Sequence, residues 1–414
     1  MPSDAFVLRS PVTDEELRRF YDPLELAFAE DFQEAGITAE KPFMERERLI
    51  NAFEGERRVA ASGAFSMQLT IPGGIIPVSA ITAVGVAPDL RRRGILRQMM
   101  DWLLADARTR NEPVAILWAS EAAIYQRFGF GMSTVVSHFE GDRARMRFRT
   151  PLPPRDDVRI RMVDTDEGAR IGELVYEQVR QVAPGSMDRP TLQWQTLLMA
   201  DAEWMREGQG PKFRAVLEVA GEPRGYVVYR VKDDWSPRGP ANVLTVVELI
   251  GLDPDAEQRL WQWICGMDLM GSIVGRRGPV PHPLQQWLLE PRRLGLTVND
   301  GLWLRFVDLA AALSARRYVG PGTLVLDVED PMFESNAGRW QMTVADDGSA
   351  TVKRSKAEPD LALDVGALAS TYLGTWRFLD LAAAGRVREC RPGAIETADG
   401  LFRARRTAYA NTMF

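Results

Sequence analysis

Residues 84–96 have the sequence VGVAPDLRRRGIL, which lies between an apolar run and an amphipathic segment. The apolar run begins at Ser79 and predicts a strand that stops at Pro88. After the turn, apolar residues recur at helical spacing and predict a helix with one buried face. This face consists of Ile95, Leu96, Met99, Met100, Leu103 and Leu104. The stretch therefore predicts a buried strand, a turn and a helix, which are the parts of a mixed α/β unit.

The turn carries groups that suit a bound pyrophosphate. A helix N-terminus presents unpaired backbone N–H groups and a partial positive charge. Gly94 lets a phosphate approach the backbone closely, and Arg91, Arg92 and Arg93 add positive charge at the same place. A solvated basic turn that caps a helix is the alternative, and the loop alone leaves both interpretations open. The chain has no GxxxxGK motif followed by Ser or Thr, which argues against a P-loop.

The next two predicted elements are a strand and a short helix that contains a tyrosine. Residues 114–119 predict a buried strand, and the segment after it predicts a short helix. Ser120 is expected to cap this helix, and Gly129 is expected to end it in the left-handed conformation. Tyr125 lies inside the helix, where core packing is the alternative to a chemical role. The order of turn, helix, strand and tyrosine-bearing helix favours the chemical role.

The chain repeats this order of elements. Residues 7–9 and 79–88 predict strands followed by helices, and residues 160–162 and 244–254 predict the same elements in the same order. The turn after Pro254 lacks the glycine and has Asp255 and Glu257 where the first copy has arginines. These acids would repel a pyrophosphate, so we expect the second copy to be a structural duplicate.

From about Asp300 the pattern changes to a compact α+β unit. The predicted fold class is α/β plus α+β, with two tandem mixed-sheet domains over 1–150 and 155–298 and an α+β domain over 300–414. Predicted strands of the last domain cover 323–328, 340–344, 350–353 and 361–363, and its predicted helices cover 309–315, 365–373 and 378–384. The segment 407–414 has no clear helical or strand register.

The chain resembles the GNAT acetyltransferases, whose loop motif is R/Q-x-x-G-x-G/A. Residues 91–96 match it except at Leu96, which replaces a small residue. Residues 120–130, the double-unit layout and the terminal Phe414 resemble the Eis type (enhanced intracellular survival) over the whole chain. This resemblance implies two GNAT-like domains, a sterol-carrier-protein-like (SCP2-like) domain and a homo-hexamer. It also implies N-acetylation, from acetyl-CoA, of aminoglycosides or lysine side chains.

The resemblance further implies roles for individual residues. The cofactor-binding positions would be Val84, Val86, Arg91, Arg92, Arg93, Gly94, Ile95 and Ser120. Tyr125 would be the general acid, because a phenol with a pKa of about 10 suits protonation of a thiolate with a pKa of about 8–9. The terminal carboxylate of Phe414 would act as base or orient the amine. We expect no metal to take part.

An acceptor wall is expected on the N-terminal helix. Its members would be Phe28, Glu30, Asp31 and Phe32. On an amphipathic helix the acids also fit a solvated face, which is the alternative interpretation.

Composition and charge argue against several classes of protein function. A net charge of −6 argues against nucleic-acid binding. Two cysteines and two histidines argue against a disulfide framework and a metal site. The N-terminus lacks the features of a signal peptide and no stretch suits a membrane span, so we expect a cytoplasmic protein. The resemblance implies a small-molecule or peptide amine as its substrate.

Two further interpretations stay open. One is a lipid- or sterol-binding scaffold with a vestigial acetyltransferase fold. The other is transfer of a longer acyl chain, as in N-myristoyltransferases, which share a tandem fold and a C-terminal carboxylate.

Overall fold

A computed structural model describes residues 6–206, 208–237 and 239–414. The chain forms two compact units, and each unit is discontinuous in sequence. Of the described residues, the first unit contains 6–134, 301–406 and 413–414, and the second contains 135–206, 208–237, 239–300 and 407–412. No helix in the described ranges is long and apolar enough to cross a membrane.

The first unit contains a seven-stranded mixed sheet, which we call the first sheet. In order across the sheet its strands are Val7–Arg9, Leu49–Glu54, Arg57–Ile71, Gly74–Val86, Val114–Trp118, Leu302–Phe306 and Gly131–Met132. Only the pairing of Gly74–Val86 with Val114–Trp118 is parallel, and it joins residues 78–80 to residues 114–116. The two strands are not paired beyond that point, so a cleft opens between their C-terminal ends.

Helices cover the first sheet. They are Asp14–Arg18, Asp22–Phe28, Glu34–Glu40, Ile95–Thr109 and Ala122–Gln126. The predicted helix after Gly94 is confirmed, and Ile95, Met99 and Leu103 of its apolar face are buried in the core of the sheet. The N-terminal helix that was expected to carry Phe28 to Phe32 is neither continuous nor that long. A 3-10 turn, Arg19–Tyr21, divides it, and the second piece ends at Phe28 because Ala29 is left-handed with φ 56°.

The second unit contains the second sheet, also of seven strands. Across the sheet they are Thr297–Asp300, Val135–Asp142, Met270–Gly278, Asn242–Gly251, Glu222–Lys232, Lys212–Val219 and Val158–Met162. Its helices are Thr165–Arg180, Thr191–Gln193, Pro254–Cys265 and Leu284–Trp287. The strand and helix on either side of Asp253 occupy the same relative positions as those around residues 87–94, which confirms the predicted repeat of elements.

Sheet membership does not follow the linear order of the chain. Leu302–Phe306 comes after the second copy in sequence but pairs with Val114–Trp118 in the first sheet. Val135–Asp142 continues from the first copy but pairs with Met270–Gly278 in the second sheet. The predicted ranges 1–150 and 155–298 therefore divide the chain at other positions than the sheets do.

The C-terminal part of the first unit has a five-stranded sheet. Across this sheet its strands are Ala350–Arg354, Gly338–Val344, Gly322–Glu329, Leu361–Asp364 and Val387–Glu389. Its helices are Leu309–Ala315, Val365–Thr371, Phe378–Ala383 and Ala394–Phe402. The predicted α+β pattern is confirmed, although the strand from Val387 and the helix from Ala394 were not predicted. Residues 407–414 form neither helix nor strand.

Candidate active site

The cleft of the first sheet begins at a β-bulge. Thr82 pairs with Gly63 and Gly85 pairs with Ala61, so Ala83 and Val84 together face the single residue between those partners. Ala83 has φ 54°, as expected where an extra residue bends a strand. Bulges of this kind redirect backbone groups next to functional sites. The backbone of Val84 is thus outside the regular pairing, at a position that the resemblance assigns to cofactor binding.

Val84 and Val86 are half-buried, and their side chains pack against the core of the first sheet. Between them, Gly85 is in close contact with the helix Asp22–Phe28. A Cβ at Gly85 would lie 2.7 Å from Cδ2 of Leu24 and 3.0 Å from Cβ of Ala27. The absence of a side chain at position 85 therefore allows this helix to pack on the strand end beside the cleft.

The turn before Ile95–Thr109 forms an open cradle. Gly94 is the N-cap residue with φ 86°, a conformation that favours glycine, and a Cβ there would meet no atom within 4 Å. No side chain of the described residues caps this helix, and its first turn contains no acidic residue. The unpaired N–H groups of Ile95 and its neighbours are left for an anion. The residues present thus fit a pyrophosphate.

The three arginines of the turn differ in their contacts. Nη2 of Arg91 donates to the carbonyl oxygen of Ala27 at 3.1 Å. Nη1 of Arg93 lies 2.9 Å from Oε1 of Glu54 in an ion pair. Arg92 is exposed with φ 66°, and it makes no ion pair within the described ranges. Arg92 is therefore the cation that an incoming pyrophosphate finds unengaged.

An ion pair that sequence reasoning missed neutralises the acid of the turn. Arg57 donates to both carboxylate oxygens of Asp89, at 2.7 and 2.9 Å. This guanidinium holds the pKa of Asp89 below its usual range. Asp89 was visible in the motif, but its partner is 32 positions earlier and no local pattern links the two residues.

Tyr125 is buried in the short helix Ala122–Gln126. Its ring packs edge-on against Phe130, with 6.0 Å between ring centroids. Burial, with a smaller contribution from the charge of Glu121, raises the pKa of Tyr125 to about 12. The ordinary value near 10 that we expected is therefore wrong, and the phenol is even more firmly protonated at neutral pH.

The N-terminus of this helix differs from our expectation, whereas its C-terminus agrees with it. Ser120 does not cap it, because the helix starts at Ala122 and Glu121 occupies the N-cap position. Ser120 is exposed after the end of the strand Val114–Trp118. Gly129 has φ 79°, which confirms the predicted left-handed end. A Cβ at Gly129 would lie only 2.9 Å from Nε of the buried Arg305.

The predicted acceptor wall lies on a loop and not on a helix. Phe28 is the last residue of its helix and is 39% exposed. Glu30 and Asp31 follow in the loop with exposed side chains. Phe32 is half-buried, with 5.2 Å between its ring centroid and that of Tyr21. The loop follows directly after the helix Asp22–Phe28, which packs on Gly85. The predicted wall therefore begins beside the cleft.

The two ends of the C-terminal segment belong to different units. Phe414 is half-buried and groups with the first unit, which also contains Tyr125, whereas residues 407–412 group with the second unit.

The equivalent turn in the second copy is closed by its own side chains. Asp253 is the N-cap of Pro254–Cys265, and Oδ1 of Asp253 accepts from the backbone N–H of Ala256 at 2.9 Å. Pro254 removes one N–H group, and Asp255 and Glu257 place two acids in the first turn. The helix end that is open at Gly94 is therefore capped here by Asp253, which also pairs with Arg224, while Asp255 pairs with Arg259.

Comparison with known sequences places these features in one family. Sequence models described as an acetyltransferase (GNAT) domain match residues 9–133 and residues 185–306. A sterol carrier protein domain matches residues 309–411. An uncharacterized N-acetyltransferase of Streptomyces avermitilis is 38% identical over 97% of both chains. The N-acetyltransferase Eis of Mycobacterium bovis is 34% identical over 81% of this chain and 80% of its own.

Solved structures give the same result. Eis1 from Mycobacterium abscessus superposes with a TM-score of 0.83 and 30% identity, covering 99% of this chain and 100% of that one. The expected fold class, two tandem GNAT domains followed by an SCP2-like domain, is confirmed by these matches. With its open cradle in the first copy and its closed second copy, the chain belongs to the Eis-type family of GNAT N-acetyltransferases.

Proposed function

We propose that this N-acetyltransferase moves an acetyl group from acetyl-CoA to an amine of a cationic acceptor, such as an aminoglycoside or a lysine side chain. The observation that carries the proposal is the difference between the two copies. Among the described residues, no side chain caps the helix after Gly94 and none forms an ion pair with Arg92, whereas the helix after Asp253 is capped by a carboxylate. This difference supports placing the pyrophosphate of the coenzyme in the first copy.

In this proposal the coenzyme is held along the bulged strand and the turn. Backbone groups of Val84 and Val86 hold the pantetheine arm, and the N–H groups at Gly94 and Ile95 hold the pyrophosphate with Arg92. When bound, acetyl-CoA supplies a thioester that is activated for attack by an amine. Residues 91 and 93 support the turn through their bonds to Ala27 and Glu54.

Tyr125 acts as the general acid in this mechanism, and it donates its proton to the sulfur that leaves. Its raised pKa keeps the acid form present across the neutral range. Transfer to a thiolate with a pKa of about 8–9 is then uphill, so the proton moves as negative charge develops on the sulfur. A general acid of this kind contributes roughly 10²–10⁴ in rate.

The carboxylate of Phe414 interacts with the acceptor amine in this mechanism. An alkylammonium has a pKa of about 10, and its deprotonation at pH 7 costs about 4 kcal/mol. A terminal carboxylate with a pKa of about 3.5 is too weak a base to remove that proton unaided. We therefore assign it to accept a hydrogen bond from the ammonium and to orient the amine while water carries the proton away.

The preference for a cationic acceptor rests on the loop after Phe28. Glu30 and Asp31 are exposed, and neither makes an ion pair with another described residue. The aromatic rings of Phe28 and Phe32 flank them and offer faces on which a cation can pack. Assembly as a homo-hexamer is part of the same proposal, and sedimentation velocity tests it.

The test is a panel of amines incubated with acetyl-CoA while release of free thiol is followed. Aminoglycosides and lysine peptides are expected to be acetylated, and neutral or acidic amines of similar size are not. A tag fused after Phe414 should abolish turnover, because it replaces the terminal carboxylate with an amide, whereas an N-terminal tag should not. Absence of thiol release with every cationic amine would contradict the proposed reaction. Full activity with the C-terminal tag would remove Phe414 from it.

A further inference from the structure

The second copy keeps an open space between its two parallel strands. Asn242–Gly251 and Met270–Gly278 pair only as far as Val246 and Gly275. Beyond this point the strand ends line a cavity of about 180 Å³, and every residue that lines it belongs to the second unit. The cap at Asp253 fills the helix end but does not close the space between the strands. The second copy thus retains room for a ligand although it lacks the open cradle of the first copy.

The walls of this cavity are mainly apolar. Val246, Ile250 and Trp261 line it with buried side chains. Val247 also lines it and is 37% exposed, so the cavity reaches the surface of the protein. Its volume is below the range of about 300–1,000 Å³ that is usual for ligand pockets. The cavity therefore suits a small molecule with an apolar part.

His282 places an unused hydrogen-bond donor on the cavity. The residue is 3% exposed, and its ring packs against Phe139 and Trp261. Nδ1 accepts from the backbone N–H of Leu284 at 3.2 Å, so the neutral ring carries its proton on Nε2. Nε2 has no hydrogen-bond partner among the described residues, and a Cβ at Gly278 would lie only 3.0 Å from it. Because buried donors are normally paired and glycine leaves this one uncovered, it is available to a ligand.

Arg277 provides a cation beside this donor. It directly precedes Gly278, the residue next to Nε2 of His282, and all three residues line the cavity. The hydroxyl of Tyr409 donates to the carbonyl oxygen of Arg277 at 2.6 Å, which fixes the backbone here. Neither Arg277 nor the exposed Arg276, which also lines the cavity, forms an ion pair with a described residue. The cavity thus presents positive charge that no described carboxylate pairs with.

The two glutamates among the lining residues differ in their contacts. Both oxygens of Glu248 accept from Arg189, at 2.8 and 3.0 Å. Glu257 has no side-chain hydrogen bond or ion pair with any described residue. It lies one helical turn before Trp261, whose ring centroid is 5.5 Å from that of His282. Burial raises the pKa of Glu257 to about 7, so at neutral pH part of the population carries a proton that can be donated.

We propose that this cavity binds a small monocarboxylic acid with an apolar tail. The carboxylate accepts hydrogen bonds from Nε2 of His282 and from the guanidinium of Arg277, and a third from the protonated form of Glu257. The tail packs against Trp261 and Ile250. The second copy then has a ligand of its own, which takes no part in the acetyl transfer proposed for the first copy.

The same features disfavour other classes of ligand. A cationic amine would meet the unpaired charges of Arg276 and Arg277. A phosphate has no apolar part to cover Trp261 and Ile250, and its second negative charge would lie close to Glu257. A neutral amide fits the walls but gives up the charge-assisted hydrogen bonds.

Hexanoate is the probe, and its binding to the full chain is followed by ligand-observed NMR. We expect a Kd of about 1 mM or tighter, in line with the size of the molecule. Hexanamide has the same tail without the charge, and it should bind at least tenfold more weakly. Equal affinity for the two compounds, or no binding of hexanoate, would overturn the proposal.

Arg277→Gln should weaken hexanoate binding at least tenfold, because it removes a charge-assisted hydrogen bond. The matched control is Arg159→Gln, since Arg159 is an exposed arginine on another strand of the same sheet and lies outside the cavity. The control should bind as the parent does. An unchanged Kd in Arg277→Gln, or an equal loss in the control, would show that no specific carboxylate site exists here.

Two further measurements locate the ligand. Ala183→Leu adds bulk at a residue that lines the cavity and leaves every charge in place, so it should also weaken hexanoate binding at least tenfold. Saturating coenzyme A should leave the Kd for hexanoate unchanged in the parent. Parental affinity in Ala183→Leu, or displacement of hexanoate by coenzyme A, would show that the probe binds elsewhere and would refute the assignment to this cavity.

Discussion

Oδ1 of Asp253 accepts a hydrogen bond from the backbone N–H of Ala256 at 2.9 Å. This bond occupies one of the N–H groups that an anion would need, and the carboxylate, which also pairs with Arg224, fills the space at the helix end. The corresponding position of the first copy is Gly94, which has no side chain and meets no neighbour within 4 Å in the direction of a Cβ. One residue at the N-cap thus distinguishes an open cradle from a closed helix end.

Tyr125→Phe should lower kcat by roughly 10², because it removes only the hydroxyl that serves as general acid. The phenol hydroxyl makes no hydrogen bond in the described part of the chain, so its loss should leave Tm nearly unchanged. Thiol release under saturating acetyl-CoA measures the first effect, and thermal unfolding measures the second. An unchanged kcat would return Tyr125 to a packing role against Phe130.

The raised pKa of Tyr125 predicts the alkaline limb of the pH profile. The acid form is the active form and its pKa is about 12, above the ordinary value of about 10. Between about pH 8 and about pH 10 the fraction of protonated tyrosine stays close to one, so kcat should not decline. Steady-state rates across this range test the point. A decline centred below about pH 10 that disappears in Tyr125→Phe would contradict it.

His282 should make the free energy of unfolding depend on pH. Burial between Phe139 and Trp261 lowers the pKa of His282 to about 4, compared with 6.5 in the unfolded chain. Between these values the unfolded chain binds a proton that the folded chain does not, so stability falls as the pH falls from about 6.5 to about 4. The loss reaches about 3 kcal/mol.

Denaturant unfolding of the parent and of His282→Asn at several pH values measures this contribution. Asparagine can still accept the backbone N–H of Leu284, which Nδ1 of His282 accepts at 3.2 Å. The variant should lose less stability over this pH range than the parent. Equal losses in both proteins would show that His282 does not titrate as described.

The pair of Arg305 and Asp330 should be essential for folding of the first unit. Nη2 of Arg305 lies 2.7 Å from both carboxylate oxygens of Asp330, and both side chains are fully buried. Asp330→Ala leaves an uncompensated charge, which costs about 3–5 kcal/mol. The exposed pair of Arg18 and Glu34 is the control, and Glu34→Ala should leave Tm unchanged. A small effect at Asp330 would mean that water or another group satisfies Arg305.

The parts of the fold that the sequence predicts are those with a local cause. Pro88 ends a strand, and the spacing of Ile95, Met99 and Leu103 defines one helix face, so the strand and helix around the turn were predicted correctly. The insertion of Leu302–Phe306 into the first sheet was not predicted. Its pairing with Val114–Trp118 joins residues almost two hundred positions apart, and a short apolar run does not specify its partner.

Contacts between distant residues also limited what the sequence could predict about the site. The motif identified Arg91, Arg92 and Arg93 together, but only their distant partners distinguish them. Arg91 bonds to Ala27 and Arg93 to Glu54, and these partners come from other elements. Ser120 was assigned as a cap on residue type, whereas the helix begins at Ala122 and its N-cap residue is Glu121. Propensity indicates which residues suit a role, and tertiary contacts select among them.

Isothermal titration calorimetry with coenzyme A most directly tests the claim that the first copy binds the coenzyme. We predict one site per chain. Arg92→Ala combined with Gly94→Asp should weaken binding at least tenfold, since it removes a cation and adds an anion in the cradle. Asp255→Ala combined with Glu257→Ala, in the closed copy, should leave the affinity unchanged. Two sites per chain, or weaker binding only in the second variant, would contradict the assignment of the site to the first copy.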